Sequence, residues 1–92
     1  MTYILCPISM FSLHQNILLM DESQDGTIGK KVALSTLDNL SADIVAMCVK
    51  HNVSSVKLQG NKEYANGLIE EIHTIANKNY GLNNIKIEVE VI

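Results

Sequence analysis

Ninety-two residues, 47% hydrophobic and 18% charged, are enough for one core but not two, and the composition carries no signature of disorder. The net charge is −3 and all seven basic residues are lysines, which excludes a basic stripe for nucleic acid and an arginine fork for phosphate or guanine. Only Tyr3, Phe11, Tyr64 and Tyr80 are aromatic, too few for a platform on which single-stranded bases stack.

The first twenty residues are apolar, but no Lys or Arg precedes them, and Pro7, Ser9, Ser12, His14, Gln15 and Asn16 interrupt the run. Neither a signal peptide nor a membrane span is expected. Residues 2–10 read as a first strand with Pro7 inside it. Residues 15–21 read as a second, apolar on both faces, with His14 in the turn before it. Asp25-Gly26 is a hairpin signal, and residues 30–35 pair back as a third strand. Residues 1–35 are therefore expected to form a three-stranded meander.

The period then changes from two to about 3.6. Leu37, Leu40, Ile44, Met47, Cys48 and His51 fall on one helical face, with Ser35 or Ser41 as its cap. Residues 53–59 are a fourth strand. Asn61 caps a second helix whose apolar face carries Tyr64, Leu68, Ile72, Ile75 and Ala76, and Gly81 stops it. Residues 84–92 alternate, with Ile85, Ile87, Val89 and Val91 on one side and Lys86, Glu88 and Glu90 on the other. Residues 36–92 thus supply α-β-α-β, and 1–92 form a single α/β domain.

The resulting order, β-β-β-α-β-α-β, resembles the ribonuclease-H-like fold shared by nucleases, resolvases and the actin-like ATPases. That resemblance implies a mixed five-stranded sheet of order 3-2-1-4-5 in which only the second strand is antiparallel. Residues 56–72, VKLQGNKEYANGLIEEI, also resemble the adenosine-contacting segment of one actin-like lobe. That segment is a strand, a Gly-Gly turn and a helix with a Gly-Leu step, which Gly60, Asn61, Gly67 and Leu68 would match with Asn in place of the second Gly. A nuclease of this fold would need an aspartate in the middle of the first strand and further acids around it to hold two divalent ions. No acid precedes Asp21, and the fourth strand ends in Gln59-Gly60. An actin-like ATPase would need two lobes closing on its nucleotide.

Gly60 and Asn61 are accordingly read as a tight turn and a cap, with Gly67 letting the helix approach the sheet. Cys48 and His51, three apart on a helix, have no second pair of ligands to complete a zinc site. Cys6 and Cys48 read as buried, reduced thiols of a cytoplasmic protein. Glu63, Glu70 and Glu71 give the second helix an acidic outer face, and His73 is solvated.

Parallel crossovers are right-handed, which puts both helices on one face of this sheet. Val56, Leu58, Ile85, Ile87, Val89 and Val91 should face them; Lys57, Gln59, Lys86, Glu88 and Glu90 should face away. Tyr3, Leu5, Leu18 and Met20 then form an apolar patch on the open face, the mark of an interaction site. Pro7 conflicts with a central first strand, because it has no N–H to give a ladder. The expectation is a non-catalytic domain without cofactor or metal, binding protein through self-association or as a small accessory or inhibitory factor. The abundance of Ile, Asn and Lys suits an AT-rich genome such as a phage's. The alternative is a module that holds a nucleotide or other anion at Gly60-Asn61. No nucleic-acid or membrane partner is expected.

Overall fold

A computed structural model describes residues 1–9, 12–23 and 29–91. The elements are β1 (Thr2–Pro7), β2 (His14–Asp21), β3 (Lys30–Thr36), a 3-10 turn (Leu37–Asn39), α1 (Leu40–Lys50), β4 (Ser55–Gln59), α2 (Lys62–Tyr80) and β5 (Lys86–Glu90). They form one five-stranded sheet of order β3-β2-β1-β4-β5. β2 is antiparallel to both neighbours, while β1, β4 and β5 are mutually parallel. This is the expected α/β architecture. The Asp25-Gly26 turn, Met10 and Phe11 lie outside the described residues.

Burial explains the arrangement. Ile4 and Cys6 of β1, Ile17 of β2, and Val56 and Leu58 of β4 make one core with Leu40, Ile44 and Cys48 of α1 and Leu68, Ile72 and Ala76 of α2. The strand residues alternate with outward neighbours, so a single sheet face meets both helices. Each large side chain removed from water contributes roughly 2 kcal/mol. Ile85, Ile87 and Val89 join this face as expected, but Val91 lies past the end of β5 and is 63% exposed.

Pro7 fits because the two ladders of β1 are offset. Pairing with β2 covers Thr2 to Leu5, whereas pairing with β4 covers Ile4 to Pro7. Pro7 is therefore the last strand residue, beyond the β2 ladder, and its missing N–H deprives no neighbour. The chain re-engages at once, with the Ile8 N–H donating to the Gln59 carbonyl at 2.6 Å.

Beyond that point the β1–β2 connection is held by Gln15, which is only 3% exposed. Its amide nitrogen donates to the carbonyls of Ser9 (2.7 Å) and Ser12 (3.1 Å), and its oxygen accepts the Ser9 N–H at 3.2 Å. A buried amide with its polar atoms satisfied fixes a loop without charge. His14, expected in this turn, is instead the exposed first residue of β2.

The helix ends show where local signals were used differently. Neither Ser35 nor Ser41 caps α1; Asn39 occupies that position, its side chain donating to the Thr36 hydroxyl at 3.3 Å rather than accepting from a helix N–H. Ser35 donates to the Asp43 carboxylate at 2.6 Å, tying β3 to α1, and Ser41 donates to Glu71 at 2.5 Å, tying α1 to α2. Ordinary capping holds for α2: Asn61 accepts the Tyr64 N–H at 3.0 Å, and Gly81 ends the helix at φ 66°. Gly67 departs from expectation. It is exposed, and a Cβ added there would meet nothing within 4 Å, so it does not mediate close approach to the sheet.

Candidate functional site

The sheet face opposite the helices is a grid whose rows follow from strand register. Directly paired residues share a face. Lys31 pairs with Leu18, Leu18 with Leu5, Leu5 with Lys57, and Lys57 with Glu88, so these five side chains form one row across the whole sheet. On one side of it stand the pair Met20 and Tyr3, then Ser55 and Lys86. On the other side stand the pair Leu34 and Asn16, then Pro7, Gln59 and Glu90.

The four residues expected to form the patch are thus brought together as two cross-strand pairs, Tyr3 with Met20 and Leu5 with Leu18. They are less bare than alternation implied. Leu5 is 9% exposed, and Tyr3, Leu18 and Met20 are half-buried. Part of the cover is local, since the Lys57 ammonium stands 5.3 Å from the centroid of the Tyr3 ring, a cation–π contact.

Leu34 extends the apolar area and is 55% exposed. Its face was hidden in the sequence because the β2–β3 register shifts between Ile17 and Leu18, and both Val32 and Ala33 then turn to the core. A bulge of this kind breaks strand alternation. The face therefore divides by width: β3, β2 and β1 supply its apolar part, while β4 and β5 supply polar side chains that engage one another. Gln59 donates to Glu90 at 3.0 Å, and Lys86 lies 3.6 Å from Glu88.

Gly60 and Asn61 form the β4–α2 joint. Gly60 sits at φ 140°, and a Cβ there would stand 2.5 Å from the Ile8 carbonyl oxygen, so only glycine fits without strain. The Gly60 N–H donates to the Glu90 carbonyl at 3.0 Å, and the Asn61 side chain accepts from Tyr64. Two donors that an anion would use are thus engaged within the chain.

A concavity lies between the 3-10 turn and α2. Asp38, Glu63 and Glu71 surround Tyr64, whose hydroxyl pKa is raised by burial and then by the Glu71 charge. Among the described residues, no three His, Cys, Asp or Glu side chains come together as a metal-holding group. Cys6 and Cys48 are free and buried, and burial pushes their thiols up to about 12 and about 11.

Two solved structures of RuvC from Thermus thermophilus share this architecture. One has a TM-score of 0.61 at 6% identity, covering 99% of this chain and 62% of that one. The other is RuvC in complex with Holliday junction substrate, with a TM-score of 0.62 at 7% identity, covering 99% of this chain and 64% of that one. The chain has a ribonuclease-H-like fold. It spans a little under two thirds of the RuvC chains it matches. No protein-family model and no curated protein matches the sequence.

Within this ribonuclease-H-like sheet, the middle of β1 holds Ile4, Leu5 and Cys6, and β4 ends in Gln59 bonded to Glu90. These residues do not fit two divalent ions, which need several carboxylate oxygens converging on one point. Among the described residues, no helix is long and apolar enough to cross a membrane.

Proposed function

We propose that this ribonuclease-H-like domain is a non-catalytic protein-binding domain of the cytoplasm that works by self-association through the open face of its sheet. One observation carries the reading. The pairs Tyr3–Met20 and Leu5–Leu18 and the exposed Leu34 lie together on the face that neither helix meets. Apolar area left in water costs about 25 cal/mol per Å², and contiguous patches on small domains mark contact sites.

The absence of an acid from β1 supports the non-catalytic part. The net charge of −3 and the lack of arginine weigh against DNA as the partner. A role as an accessory or inhibitory factor is compatible with this surface, and a second copy is its simplest occupant.

The test is molar mass by light scattering during size-exclusion chromatography, across a hundredfold range of concentration. A dimer or larger assembly is expected, and Leu18→Asp should shift it to monomer. A wild-type chain that stays monomeric throughout defeats self-association.

A further inference from the structure

We draw no further inference here: the strongest candidate, the concavity between the 3-10 turn and α2 where Asp38, Glu63 and Glu71 surround Tyr64, is an acidic cluster that carries nothing because, among the described residues, only the carboxylates themselves point to a ligand and no buried polar side chain is left unpartnered there.

Discussion

Two glycines flank the start of α2 and should respond to the same substitution with opposite signs. Gly67 lies inside the helix, without a positive φ and with no atom within 4 Å of an added Cβ. Alanine there relieves the backbone entropy that glycine loses on folding and adds no contact, so Gly67→Ala should stabilise by about 0.8 kcal/mol. For a domain of this size that raises Tm by about 3–6 °C. Gly60 is the reverse case. Its φ of 140° strains any L residue by about 1–3 kcal/mol, and a Cβ would lie 2.5 Å from a backbone oxygen in the adjoining strand segment. Gly60→Ala should therefore destabilise by about 2 kcal/mol or more, since a carbonyl of Ile8 cannot move without disturbing its neighbouring bond to Gln59. Urea unfolding followed by circular dichroism measures both, with m-values compared to confirm that only stability changed. A destabilising Gly67→Ala means that the outer face of α2 is packed rather than open. A Gly60→Ala that unfolds within about 0.5 kcal/mol of wild type refutes the tight-joint account.

The thiols should be inert in the folded chain. Burial favours the neutral form of Cys6 and Cys48, so their stabilising effect is complete below the ordinary value of 9.0 and is lost as pH rises toward about 12 and about 11, respectively. Labelling by a thiol reagent at pH 8 should follow the opening rate, while stability declines above pH 9; rapid stoichiometric labelling of native protein contradicts the burial. Gln15→Ala removes three hydrogen bonds, to the backbone of Ser9 and Ser12, from the β1–β2 connection. The expected loss is about 1–3 kcal/mol by urea unfolding, and a negligible loss means that the loop is held by something else.

The order of elements was legible because the hydrophobic period changes cleanly at residue 36 and because Asn61 and Gly81 punctuate α2 with ordinary caps. Strand order came only from the resemblance to a known fold, crossover handedness then put both helices on one face, and Pro7, the residue that resisted the order, is accommodated by an offset between ladders that no local signal encodes. The misreadings are tertiary. Ser35 and Ser41 look like caps, yet each spends its hydroxyl on a carboxylate from another part of the fold. Gly67 looks like a packing glycine, but only the orientation of α2 reveals that it faces outward. The composition of the open face was visible in part: Tyr3, Leu5, Leu18 and Met20 follow from alternation, whereas Leu34 lies beyond the bulge where alternation loses its phase. Nor could the pairing of Lys31 with the row that ends in Glu88 be read, because register between strands distant in sequence is set by the whole sheet.

The central position of β1 also dictates when the fold can complete itself. Its second neighbour is β4, and the first pair of that ladder joins Ile4 to Val56. A chain leaving the ribosome can fold the meander early, but the core face of that meander stays bare until α1, β4 and α2 have emerged. Closing so long a loop before its contacts are rewarded makes this a slow step for a small domain. During that interval both faces of β1 and β2 are apolar and exposed, which makes nascent copies prone to stick to one another. Leu5 and Leu18 are therefore first available to the cell before there is a folded protein, and synthesis rate and chaperone supply act on the same residues as the mature surface.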